Sequence, residues 1–150
     1  MEKKEIIKEI VNQLLDKMNF EGEVLIEDSN ENDMAVNVQT KDASFLIGQS
    51  GANLDALQYI ARILSNRKTE EPAHFILDIN SYRRQRAETL KELAGNVADQ
   101  TINGRVAITL RPMSAYERRV IHLALFENNQ VKTESIGEEP ERRIVVKPTN

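Results

Sequence analysis

Cysteine is absent from this 150-residue chain, which excludes disulfides, thiolate metal sites and cysteine nucleophiles. Histidine occurs only at His74 and His122, 48 positions apart, so no structural zinc site is expected. Tryptophan is missing too, and aromatic residues make up 5%. No apolar run approaches the roughly 18 residues of a membrane-spanning helix, and the opening MEKKEIIK has no secretory-type apolar core. No P-loop or paired-carboxylate signature is present, so neither an enzyme nor a cofactor or metal is expected. The reading is a cytoplasmic α+β protein whose 40% hydrophobic content suffices for a core.

Positive charge is scarce in one half only. Residues 1–80 hold 8 Lys+Arg against 15 Asp+Glu, a net of −7, and residues 81–150 hold 12 against 9, a net of +3, which together restore −4. Attraction for a polyanion is therefore expected from the second half.

Apolar spacing supplies the elements. Ile6, Ile7, Ile10, Val11, Leu14, Leu15 and Met18 recur at helical intervals, predicting a helix over about 3–18. Val24–Ile26 and the alternating Met34, Val36 and Val38 read as strands around the polar turn Ser29–Asn32. A short helix at Ala43–Ile47 and a longer one from Ala52 to about Ser65 follow, the latter packing through Leu54, Leu57, Ile60, Ala61 and Leu64, and then a strand at His74–Ile79. Beyond Asn80 come a helix from Ser81 to about Asn103, a strand at Val106–Leu110, a helix from about Ser114 to Asn128, and strands at Val131–Ile136 and Arg142–Lys147. Two domains, 1–80 and 81–150, are expected.

Glycine is rare, with six residues, yet Gly48 and Gly51 stand three apart between two helical runs. By spacing alone such a pair is an ordinary helix-helix turn. Its lack of side chains lets a ligand approach the backbone, and the amino end of the following helix favours a phosphate. Ile-Gly-x-x-Gly followed by Leu-Asp-Ala-Leu-Gln-Tyr resembles the KH domain, specifically that of the bacterial Jag family, also called KhpB or SpoIIIJ-associated. That resemblance implies a type II KH fold whose GXXG loop, Gly48, Gln49, Ser50 and Gly51, clamps the backbone of about four nucleotides. Loops of this family usually carry a Lys or Arg where this chain has Gln49 and Ser50, so backbone N–H groups and the helix dipole would hold the phosphate. The loop is expected to be exposed, so that Gly48→Asp and Gly51→Asp would spare the fold.

The second motif lies on the helix opened by Ser114 and Glu117, which have capping-box spacing. Val120 and Ala124 are expected at the middle of its buried face, flanked by Ile121 and Leu123, with Arg118, Arg119 and His122 together on the exposed side. Arg-x-x-x-His, with the surrounding Pro-Met-Ser-x-Tyr-Glu-Arg-Arg-x-Ile-His and the trailing Gly-Glu-Glu-Pro-x-Arg, resembles the R-three-H domain of Jag proteins, a small α/β module. Arg83, Arg84 and Arg86, which oppose the dipole of their own helix, are expected either to extend this basic surface or to answer acidic groups of the first domain.

The resemblance implies binding of single-stranded RNA, or single-stranded DNA, and a part in cell envelope growth, cell shape and division, with a partner KH protein. Few aromatics argue against broad base stacking. A second reading stays open: a protein-interaction adaptor for the ribosome, a partner KH protein or a membrane-protein regulator, whose KH fold has lost RNA binding.

Overall fold

The computed structural model describes residues 2–28 and 34–149, and the turn expected at Ser29–Asn32 lies outside them. The chain forms two compact units, Met1–Arg83 and Arg84–Asn150.

The first unit runs α1 (Lys3–Lys17), β1 (Glu23–Asp28), β2 (Met34–Gln39), α2 (Ala43–Ile47), a single 3-10 turn at Gln49–Gly51, α3 (Ala52–Lys68) and β3 (Phe75–Ile79). This is the α-β-β-α-α-β order of a type II KH domain. β2 lies at the centre of the sheet, antiparallel to β1 and parallel to β3. Strict alternation explains its position: Met34, Val36 and Val38 are buried while Ala35 and Asn37 are only partly covered. Ile7, Val11 and Leu15 of α1 and Leu54, Leu57 and Ala61 of α3 join the same core. A fully buried leucine or isoleucine contributes about 1.5–3 kcal/mol.

The packing face of α3 differs from the expected one. Leu54, Leu57, Ala61 and Ser65 are buried, whereas Ile60 and Leu64 are exposed, as are Tyr59 and Ile63 beside them. Apolar residues occupy two sides of this helix, and only one side meets the sheet.

β3 is an edge strand, and Gln58 of α3 occupies its open hydrogen-bonding positions. The carboxamide Nε2 donates to the Phe75 carbonyl at 2.8 Å, and Oε1 accepts from the Leu77 N–H. The helix before the edge thereby satisfies backbone groups that would otherwise stay unpaired.

α4 (Tyr82–Gly104) begins in the first unit and continues into the second, which adds β4 (Ile108–Thr109), α5 (Ala115–Leu125), β5 (Val131–Ile136) and β6 (Arg143–Pro148). Its sheet is antiparallel, with β6 between β4 and β5. The strand expected at 106–110 shrinks to two residues, since only Ile108 and Thr109 have ladder partners on β6. Leu90, Ala94, Val97 and Ala98 of α4 pack with Ile121 and Leu125 of α5 and with Ile144 and Val146 of β6.

Replacing Gln58 by methionine keeps the volume and orphans both β3 groups. We expect a loss of about 1–3 kcal/mol in stability, measured by urea unfolding. An unchanged midpoint would mean that water serves the edge equally well.

Candidate nucleic-acid interface

The turn between α2 and α3 is built around two glycines with positive φ, Gly48 at 71° and Gly51 at 79°, and Ser50 between them is also left-handed at 54°. A Cβ on Gly48 would lie 2.6 Å from the Asn53 side chain, and one on Gly51 would lie 3.2 Å from the Tyr82 ring. Asn53 is itself fixed, since its Nδ2 donates to the Phe45 carbonyl at 2.8 Å and ties the end of α2 to the start of α3. Gly51 is buried while Gln49 and Ser50 are exposed. The expectation that both glycines could become aspartate without harm is therefore corrected: Gly48, at φ 71° and ψ −173°, holds a backbone conformation left to glycine and its Cβ would collide with Asn53, while a Cβ on Gly51 would press on the Tyr82 ring; Gln49 and Ser50 are the exposed positions of the turn. The amino end of α3 has no side-chain cap, so its first N–H groups remain available beside the turn. Asp55, in that first turn, is paired with Arg83 at 3.0 Å.

In the second unit the capping box forms as its spacing predicts. Ser114 Oγ accepts from the Glu117 N–H at 3.2 Å, and Glu117 Oε2 accepts from the Ser114 N–H at 3.3 Å. The Glu117 carboxylate is buried and also accepts from Arg86 Nε at 2.9 Å. Arg118 is buried too. Its Nη1 donates to the Met113 carbonyl at 2.6 Å and its Nη2 to Glu139 at 2.7 Å.

These pairs rotate the buried face of α5 away from the expected one. Glu117, Arg118, Ile121 and Leu125 point inward, while Ala124 and Leu123 are exposed. Assigning Arg118 to solvent displaced the expected face, because partners at the Met113 carbonyl and in the 137–140 turn offset the cost of burying it, as Arg86 of α4 does for Glu117. Arg118 thus does not share an exposed sector with Arg119 and His122. Arg83 likewise turns inward, onto Asp55 and the Leu77 carbonyl, and Arg86 onto Glu117; Arg84 is exposed.

Arg119 and His122 remain at the surface. They line a cavity of about 370 Å³ with Thr133 and Ser135 of β5 and Arg142, and one edge of Arg118 reaches its wall. His122 Nδ1 is hydrogen-bonded to Thr133 Oγ1, and Arg142 Nη1 donates to the Gly137 carbonyl at 2.6 Å. Glu134, between the two cavity hydroxyls in sequence, pairs with Lys147 at 2.6 Å. The hydrogen bond and then the charge of that ammonium hold its carboxyl below the usual carboxylate range. Guanidinium groups, an imidazole and two hydroxyls facing one cavity are suited to a phosphate and a sugar hydroxyl.

Thr133, Ser135 and Arg142 were not nominated from the sequence. The trailing Gly-Glu-Glu-Pro-x-Arg signalled Arg142, but the hydroxyls come to the site only through the pairing of β5 with β6.

Comparison with known families finds a match in each unit. Residues 4–77 match the KH domain of KhpA/KhpB, and residues 88–148 match the R-three-H domain. The chain belongs to the KhpB (Jag) family. It is 37% identical over 139 residues to the RNA-binding protein KhpB of Clostridium symbiosum, covering 92% of this chain and 63% of that one. It is 38% identical over 106 residues to KhpB of Bacillus subtilis, covering 69% and 51%, and 29% identical over 136 residues to KhpB of Streptococcus pneumoniae, covering 91% and 41%. The chain therefore spans less than two thirds of these KhpB relatives. In this KhpB-family chain the Arg of the Arg-x-x-x-His motif is a buried tie, and its His is a surface group.

Arg118→Met should cost about 1–3 kcal/mol, because it leaves the Met113 carbonyl without its donor. Thermal unfolding of the purified chain would show it. Unchanged stability would contradict the structural role assigned to this guanidinium.

Proposed function

We propose that this chain binds single-stranded RNA, and single-stranded DNA through the same contacts, using both units and no catalytic step. The observation that carries the reading is the cavity of the second unit. Arg119, Arg142 and His122 face it with two hydroxyls, while the carboxylates of Glu117, Glu139 and Glu134 are each engaged by a cation. Cations thus set the local potential although the chain as a whole is −4. The names of the relatives, RNA-binding protein KhpB, support the same ligand. In the first unit the exposed Gln49 and Ser50, with the uncapped start of α3, would supply the second backbone contact, as in other GXXG loops. Domains bounded at 1–80 and 81–150 would carry these contacts, with Arg84 extending the basic surface. The family resemblance extends the proposal to a cytoplasmic role in cell envelope growth and division.

One observation favours a protein partner as well. Tyr59, Ile60, Ile63 and Leu64 leave an exposed apolar face on α3, the kind of surface that another KH protein would cover. In the adaptor reading that face, not the loop, would be the functional one.

Filter binding of a short single-stranded RNA at several salt concentrations separates these readings. Each phosphate neutralised contributes about −0.7 to the log-log slope, so Arg119→Gln with Arg142→Gln should flatten it by about 1.4. Gln49→Asp with Ser50→Asp should weaken binding and leave the melting temperature nearly unchanged, since both residues are exposed and aspartate tolerates the left-handed conformation of Ser50. Affinity independent of salt and of both double substitutions would favour the adaptor.

A further inference from the structure

α5 has a second exposed sector that the phosphate-type cavity does not use. Successive positions on a helix are turned by about 100°, so around α5 the core face of Glu117, Ile121 and Leu125 is followed by His122, then Arg119, and then Tyr116, Leu123, Val120 and Ala124. Those last four, with Ala87 and Lys91 of α4, line a groove of about 390 Å³ in the second unit. Tyr116 is 45% exposed and Leu123 59% exposed. Arg119 lines both this groove and the cavity with His122 and Arg142.

We propose that this groove is a base-accepting subsite, which takes one unpaired nucleobase of the strand whose phosphate is held at Arg119; the inference rests on the nucleic-acid reading given above. Three features select that occupant. Residues three and four apart on a helix have Cβ atoms about 5–6 Å from one another, which places Tyr116 and Leu123 one side chain away from Arg119 on either side. A base attached to the sugar next to that phosphate spans the length of one such side chain. The walls are apolar and include one aromatic ring, suited to the faces of a planar heterocycle, whereas the edges are the cations Arg119 and Lys91, suited to the anionic backbone and not to an acid-free apolar peptide. The groove offers few hydrogen-bonding groups that could read a base edge, so it accepts any base. A single ring stacks a single nucleotide, in keeping with a chain poor in aromatics.

The test uses the 150-residue chain carrying Gln49→Asp and Ser50→Asp, so that the loop of the first unit contributes little. Fluorescence anisotropy compares a short oligoribonucleotide with the same strand made abasic throughout. The intact strand should bind roughly tenfold more tightly, since stacking on an aromatic side chain is worth about 1–3 kcal/mol per base. Tyr116→Ala should remove most of that preference with the salt slope unchanged, and Tyr116→Phe should retain it. Equal affinity of intact and abasic strands, with salt-dependent binding preserved, would overturn the base subsite alone. So would a preference that survives Tyr116→Ala. If neither strand shows salt-dependent binding, the nucleic-acid reading of the second unit fails instead.

Discussion

The second unit depends on what happens to one buried carboxylate. Glu117 is nearly solvent-free, and a lone carboxylate there would carry a desolvation penalty of several kcal/mol. It is stabilised by the Ser114 N–H on one oxygen and the Arg86 guanidinium on the other. Those two bonds fix the first turn of α5 and tie it to α4. Arg118, one residue on, fastens the same turn to the Met113 carbonyl and to Glu139 beyond β5. With these two positions locked inward, helical geometry turns His122 and Arg119 outward.

The result is a division of labour among charges that are adjacent in sequence. Glu117 and Arg118 hold the helix, while Arg119 and His122, with Arg142 from the end of the 137–142 turn, line the surface cavity. The first unit shapes its turn with uncharged side chains and one ion pair. Asn53 under Gly48 and Tyr82 under Gly51 shape the turn, and Arg83 answers Asp55, a carboxylate that would otherwise stand in the first turn of α3 and repel a phosphate. Neither unit therefore relies on net charge; each relies on pairing its own carboxylates.

Much of this was legible in the residues. Period-two alternation at Met34, Val36 and Val38 and the 3.6-residue repeat of α1 have no second reading, so these two elements followed from them directly. The capping box was equally plain, because its spacing is local. Three things were not. The buried face of α5 was displaced because a buried Glu-Arg neighbour pair looks like solvated charge until its partners, Arg86 and Glu139, both distant in sequence, are known. Ile60 and Leu64 are apolar but uncovered, and composition cannot say which side of an apolar helix the sheet takes. Thr133 and Ser135 reach the cavity through strand register alone.

Arg118 is held in the fold, and the proposed strand contacts fall to Arg119, Arg142 and His122. Nitrogen-15 NMR of the arginine Nε–Hε groups and the histidine rings, recorded while a short single-stranded RNA is added to the full chain, tests this assignment most directly. The signals of Arg119, Arg142 and His122 should move with the titration while those of Arg118 and Arg86 hold their positions. Movement of the Arg118 signal as large as that of Arg119, which would mean its release from Glu139 onto the strand, would contradict it.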